Sequence, residues 1–311
     1  MIELAIIIPY YKITYLDHLL CQLSRQTNKK FRLYIGDDFS PDSPHDTIKK
    51  YNKFLDIEYK RFSPNLGGDN LVSHWNRCLE MLQDETWVWM LPDDDLPSPN
   101  CVEEFYKILY KIKKSDEVNT FNIPLRIINS EGEIVKKDAI SPFYQDNYEF
   151  YLSILKSERG ISLGDNIFRK KILINSGGFV SFPKGWGSDH ATILNVSASK
   201  KICCLQNAWF GFRQSGINIS SQVDDGDQKM KARFFLAQWL KRNENIFPQK
   251  PSLEFYRYFY WKGEYYFLYE WDLTVSVFYN LIRLRLVCLK NINPFSLVNL
   301  LIQKILLKCS R

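Results

Sequence analysis

Trp87-Val88-Trp89-Met90-Leu91-Pro92-Asp93-Asp94-Asp95 is an apolar run that ends in three adjacent carboxylates. Trp87–Leu91 reads as a strand, so the acidic residues stand at its carboxyl end. Upstream, Leu4–Ile8 is a continuous, largely β-branched run of the kind expected for a parallel strand buried on both faces. Phe31–Gly36 is a second strand that runs into Asp37-Asp38, and Ile57–Arg61 is a short third. Between these strands the period becomes helical. Thr14–Gln26 places Leu16, Leu19, Leu20 and Leu23 on one face, with Thr14 as the expected N-cap. Asp46–Leu55 follows the turn Ser40-Pro41-Asp42-Ser43-Pro44, Asn70–Leu82 is a further helix, and Pro99–Lys113 is a long one capped near Ser98. Strands separated by helices predict right-handed crossovers and an α/β fold, a mostly parallel central sheet flanked by helices. Such sheets bind ligands at the carboxyl ends of their strands. Both acidic clusters, Asp37-Asp38 and Asp93-Asp94-Asp95, fall at such ends.

Downstream, Asn129-Ser130-Glu131-Gly132 predicts a hairpin turn between Leu125–Ile128 and Glu133–Val135. Gly177-Gly178 follows a short helix. Lys184-Gly185-Trp186-Gly187-Ser188-Asp189 is a glycine-rich loop entering the helix His190–Ala198, and Ile202–Phe212 reads as one more apolar strand. From Asp227 onward the pattern is helical, over Gln228–Asn243 and then Leu253–Lys290, where 13 of the 25 residues from Phe255 to Tyr279 are aromatic. A domain boundary is expected near residue 222.

An apolar fraction of 45% over 311 residues supports a sizeable core and argues against disorder. The formal charge of +6 resides in the tail, because residues 1–272 balance 35 basic against 35 acidic side chains. After Asp272 come only Arg283, Arg285, Lys290, Lys304, Lys308 and Arg311. No even basic coat exists, and no nucleic-acid partner is expected. The seven cysteines are odd in number and scattered without a CxxC pair, and Cys203-Cys204 sit in an apolar run. That layout suits neither a disulfide framework nor a zinc site, so buried thiols and a cytoplasmic location are expected. MIELAIIIPYY lacks a basic leader and ends its short apolar stretch in proline, which reads as a strand and not a signal peptide. Leu281–Leu289 and Phe295–Leu307 pair leucine-rich faces with basic residues, and neither has the ~20 apolar residues that span a bilayer. They read either as a basic amphipathic helix on an anionic membrane surface or as a hairpin packed on the domain or on a second copy. His18, His45, His74 and His190 lack ligand-like spacing, and none is expected to bind metal.

Three neighbouring carboxylates repel one another unless a positive charge sits between them. A hard divalent cation, Mn²⁺ or Mg²⁺, is the natural partner, held by few protein carboxylates and completed by substrate phosphates. It would neutralise charge building on a departing diphosphate. A solvated acidic turn capping the helix at Pro99 would carry the same residues.

The order Ile6-Ile7-Ile8-Pro9-Tyr10-Tyr11, Gly36-Asp37-Asp38-Phe39-Ser40-Pro41-Asp42, Asn65-Leu66-Gly67, Trp75-Asn76-Arg77, Asp93-Asp94-Asp95, Phe168-Arg169-Lys170, Gly177-Gly178-Phe179 and Asp189 resembles the family 2 glycosyltransferases of GT-A fold over about residues 1–220. The resemblance implies inverting, metal-dependent transfer from a nucleotide-sugar donor, read as a UDP-sugar. The acceptor would be a glycan or lipid-linked molecule in cell-surface polysaccharide synthesis, handled at the cytoplasmic face of the membrane. It implies a catalytic domain 1–222, with a nucleotide-binding half 1–115 and an acceptor-binding half 116–222, followed by a helical, aromatic-rich and basic region 223–311.

Carried over by residue, the resemblance implies that Pro9 and Tyr11 line the nucleotide site, with Tyr11 stacking near the base. Asp38 would accept a hydrogen bond from the base, which fits uracil because its N3–H is a donor, and Asp37 would support that loop. Asp93 suits the ribose, and Asp94 or Asp95 the metal, Mn²⁺ or Mg²⁺, with Asp94 also near the nucleotide. Asn65, Gly67 and Asn76 match the segment that closes over the nucleotide, while Trp75 reads as core and Arg213 as a diphosphate contact. Members carry Ala-Arg-Asn where this chain has Trp75-Asn76-Arg77, and Glu-Asp where it has Ser188-Asp189. Asp189 is the candidate general base, and Trp186, Gly187 and Ser188 the acceptor loop. A base that takes the hydroxyl proton as oxygen attacks the anomeric carbon gives inversion in one displacement. Two alternatives stand beside this reading. Nucleotidyl transfer to a sugar phosphate expects a glycine-rich phosphate loop, which Pro9-Tyr10-Tyr11-Lys12 is not. A GT-A-fold binding protein without turnover is the other.

Overall fold

β1 (Leu4–Tyr10) is apolar on both faces, with Leu4 to Ile8 wholly buried. A computed structural model, which describes residues 2–112, 117–198, 200–216, 226–252 and 255, places it inside an eight-stranded sheet. The order runs β3 (Ile57–Arg61), β2 (Phe31–Asp37), β1, β4 (Trp87–Met90), β10 (Asn166–Arg169), β6 (Val118–Asn122), β11 (Lys201–Cys204), β9 (Tyr144–Gln145). β3, β2, β1 and β4 are mutually parallel, as are β6 and β11, while β10 and β9 run antiparallel to their neighbours. Helices cover the faces: α1 (Leu16–Ser24), α2 (His45–Tyr51), α3 (Gly67–Cys78) and α4 (Cys101–Ile112), then α5 (Asn147–Leu155), α6 (Lys170–Asn175), α7 (Ser188–Val196) and α8 (Gly226–Arg242). α1 buries the four leucines that set its period, Leu16, Leu19, Leu20 and Leu23. Trp75 is core as expected, 8% exposed and edge-on to Phe179.

Successive strands build outward from β1 through β2 to β3, and the chain then returns to the other side of β1 for β4. The reversal opens a crevice at the carboxyl ends of β1 and β4. A second sheet of β5 (Leu96–Pro97), β12 (Phe210–Arg213), β7 (Leu125–Ile128) and β8 (Ile134–Lys137) stands beyond the acid turn. β7 and β8 form the expected hairpin, closed by the Asn129 amide on the Glu133 carbonyl at 3.0 Å.

Two local expectations are corrected. Ile202–Phe212 is two strands in two sheets, because the Leu205 amide makes its bond to the Asn122 carbonyl (2.8 Å) and Ala208 then closes a turn on the Leu205 carbonyl (3.0 Å). Thr14 is not an N-cap. It lies in a single 3-10 turn, Ile13–Tyr15, and the amides before that turn are spent on Asp93. Residues Met1–Pro251 form one compact unit and Ser252–Arg311 another. The expected helix Leu253–Lys290 and the basic tail lie outside the described residues. Among the described residues no helix is long and apolar enough to cross a membrane. All five described cysteines are unpaired thiols.

Candidate active site

The acid turn follows β4 and lies against the end of β1. One oxygen of Asp93, Oδ2, accepts the backbone amides of Tyr11 and Lys12, each at 2.9 Å, so a carboxylate from β4 caps the chain leaving β1. Asp95 is buried and accepts the Arg213 amide from β12 at 2.8 Å. No hydrogen bond or ion pair from any other described residue meets the carboxylate of Asp94. All three are pushed up, Asp93 to about 7, by burial first; Asp94 is the next cause for both Asp93 and Asp95. Lys12 and Arg213 oppose that rise without cancelling it.

Arg213, wholly buried, is where the structure departs most from the expected contact. Its Nε donates to the Asp94 carbonyl at 2.6 Å, and its Nη1 to the carbonyls of Asn129 (2.9 Å) and Ser130 (2.6 Å). The guanidinium lies over the Tyr15 ring at 4.3 Å. It is aimed at the acid turn and the β7–β8 hairpin, which leaves it no free face for a diphosphate.

At the end of β2 both carboxylates are also occupied by protein. Asp37 accepts the Ser40 amide (2.7 Å), the Tyr59 hydroxyl (2.6 Å) and Arg61 Nη1 (3.0 Å). Asp38, 1% exposed, accepts the amides of Leu66 (2.9 Å) and Gly67 (2.6 Å), Asn65 Nδ2 (3.1 Å) and Arg77 Nη2. His74 Nδ1 adds a contact at 3.3 Å, and burial pushes this imidazole down to about 4. A Cβ on Gly67 would stand 2.7 Å from Asp38 Oδ2, so glycine is what lets the turn close on the carboxylate. Asn76 faces away from this site. Its amide pairs with the backbone of Phe179, receiving the Phe179 N–H at 2.7 Å and donating to the Phe179 carbonyl at 3.1 Å. Tyr11 is 42% exposed at the end of β1, with Pro9 in the strand beneath it. Sequence reasoning missed Tyr59, Arg61 and His74 as supports. Arg61 was findable, since it pairs with Asp37 in the parallel β2–β3 register.

Asp189 lies in the first turn of α7, entered through Gly187 at φ +77°, a conformation that favours glycine. Trp186 precedes it with its indole N–H buried and unmatched by any described acceptor, and Lys229 stands over the ring at 4.6 Å. Ser188 is corrected from acceptor contact to support: it is fully buried and receives the Phe182 amide at 3.2 Å. Behind α7, buried Arg159 donates to Asn122 Oδ1 (2.8 Å), Ser141 Oγ (2.6 Å) and Asp165 Oδ2 (3.2 Å). Burial lifts Asp165 to about 7 despite Arg159, and the charge of Asp189 adds to the rise.

A reversed parallel sheet with an acid turn in its crevice and a second carboxylate on a later helix defines a glycosyltransferase of GT-A fold. The chain belongs to glycosyl transferase family 2, whose sequence profile matches residues 5–183. No curated protein sequence matches it. Among solved structures it is similar to S. aureus TarS 1–349 in complex with UDP-GlcNAc, at 16% identity and a TM-score of 0.65, over 87% of this chain and 76% of that one. GalNAc-T7 with UDP, GalNAc and Mn²⁺ aligns at 12% identity and a TM-score of 0.56, over 85% and 55%. A Pyrobaculum calidifontis mannosyltransferase in complex with GDP-Man and Mn²⁺ aligns at 12% and 0.54, over 84% and 69%.

Proposed function

We propose that the protein moves a sugar with inversion from a UDP-sugar to a glycan or lipid-linked acceptor in cell-surface polysaccharide synthesis, assisted by Mn²⁺ or Mg²⁺. The observation that carries the reading is the Asp94 carboxylate, unmet by other described residues between two carboxylates already tied to amides. Among the described residues no three His, Cys, Asp or Glu side chains are grouped to hold a metal. A cation there would need substrate oxygens beside Asp94, the coordination that Mg²⁺ and Mn²⁺ accept. Bound, the cation supplies charge neutralisation at the leaving diphosphate.

The chain's own residues take the remaining roles. Asp189 removes the acceptor hydroxyl proton, with Trp186 and Gly187 lining the acceptor side. Tyr11 and Pro9 receive the base, and Asp93 stands nearest the ribose. Asp95 and Arg213 act as positioning residues for the turn. Asp38 holds the Asn65–Gly67 segment, and a base N3–H would replace one of the donors now on it.

Isothermal titration of UDP with and without Mn²⁺ tests this. Mn²⁺ is expected to tighten UDP binding, and Asp94→Ala to remove that increment, on the order of tenfold to a hundredfold, while sparing metal-free binding. Equal affinity of the unaltered protein with and without Mn²⁺ would end the metal reading. The basic segment 281–307 suggests a peripheral position on an anionic membrane. Co-sedimentation with phosphatidylserine vesicles should weaken on truncation after residue 272, and unchanged binding would remove the tail as an anchor.

A further inference from the structure

His190 follows Asp189 in α7, and its ring turns back toward that carboxylate. Nε2 stands 3.9 Å from Asp189 Oδ1, within ion-pair reach but beyond hydrogen-bond distance. The other ring nitrogen, Nδ1, is 3.4 Å from the hydroxyl of Tyr151 on α5, and the two rings meet edge-on, with centroids 5.6 Å apart. Tyr151 is 1% exposed, and burial pushes its phenol up, so it keeps its proton through the neutral range. A protonated phenol can donate to Nδ1. A neutral imidazole then carries its single proton on Nε2, the nitrogen that faces Asp189.

Asp189 needs such a partner. Its Oδ1 accepts the His190 amide at 2.9 Å, a bond within its own helix turn. Asp165, the acidic group behind it, is already paired with Arg159 at 3.2 Å. Among the described residues no other basic side chain pairs with it. Building on the reading of Asp189 as the base, we propose that His190 is a positioning residue. Its Nε2–H holds the Asp189 carboxylate toward the acceptor oxygen, and the Tyr151 hydroxyl sets the tautomer that makes this possible. In the displacement the acceptor oxygen bonds to the anomeric carbon, the bond to the diphosphate breaks, and the hydroxyl proton passes to Asp189. His190 exchanges no atom.

The test measures UDP release with Mn²⁺ from whichever of UDP-glucose, UDP-galactose, UDP-GlcNAc and UDP-GalNAc the protein turns over fastest, alongside UDP binding by calorimetry. His190→Leu is expected to lower kcat about tenfold or more, with donor KM and UDP affinity within about twofold. His190→Gln places an amide N–H near the Nε2 position and is expected to recover most of kcat, whereas His190→Asn reaches only the Nδ1 position and should not. Tyr151→Phe keeps the ring and removes the hydroxyl, and should lower kcat in the same direction. A His190→Leu kcat within twofold of the parent overturns the proposal, as does a His190→Gln variant no better than His190→Leu. Asp189→Asn separates the two readings. Near-normal turnover there removes the base and this role with it. Lost turnover with normal His190→Leu activity removes the positioning role alone. No release from any of the four donors refutes both.

Discussion

Replacing Asp189 with asparagine is expected to abolish sugar transfer while leaving UDP affinity unchanged. Asparagine keeps the shape of the side chain and its local bond to the α7 turn, and it loses the capacity to take a proton. General-base assistance contributes about 10²–10⁴ in rate, so kcat should fall by about that factor, equivalent to about 3–5 kcal/mol of barrier. Asp189 sits on α7, and its contacts are with His190 and with the charge of Asp165 rather than with Tyr11, Asp93 or Asp94. Binding of UDP should therefore be indifferent to the change. Single-turnover kinetics with calorimetry in parallel check both halves, and near-normal turnover of the variant would remove Asp189 from the base role.

Replacing Arg213 with methionine should instead damage both stability and nucleotide binding. Methionine fills much of the same volume but donates nothing to the carbonyls of Asp94, Asn129 and Ser130. Stranding buried acceptors and removing the cation beside Asp95 should cost about 3–5 kcal/mol. At this chain length that corresponds to a fall in Tm of roughly 5–8 °C. The metal-dependent part of UDP affinity should disappear with it, because the acid turn loses its anchor. Arg213→Lys retains the charge without the fork and should fall between the two. Unchanged Tm and unchanged UDP binding in the methionine variant would contradict the anchoring role.

The architecture was legible because local pattern and global fold agree. Apolar, β-branched or aromatic runs marked β1, β2 and β4, four leucines marked the buried face of α1, and the acidic clusters stood at strand ends where parallel sheets gather their ligands. The orientation of the carboxylates was not legible, because their partners come from far along the chain. Asp95 is held by Arg213, 118 positions later, and Asn76 by Phe179, 103 positions later. No periodicity encodes such pairs. Asn76 matched the segment expected to close over the nucleotide, and only the approach of the Gly177-Gly178-Phe179 loop shows that a backbone claims it. The split of 202–212 was hidden in the same way. Gln206-Asn207 gives a weak turn signal, and the turn after β11 is pinned by Asn207, which donates to Glu104 Oε1 at 2.8 Å while its carbonyl receives Asn100.

These long-range ties decide how the protein can be dissected. A fragment ending at residue 115 would retain Tyr11, Asp38 and the whole acid turn. It would forfeit the Gly164 carbonyl that receives the Trp89 indole N–H at 2.6 Å, the Phe179 backbone that holds Asn76, and the Arg213 amide under Asp95. Such a piece would carry every proposed nucleotide contact, without the braces that come from later in the chain. The sequence divides into two halves on paper, but an engineer wishing to exchange the acceptor half would have to transplant its three struts as well.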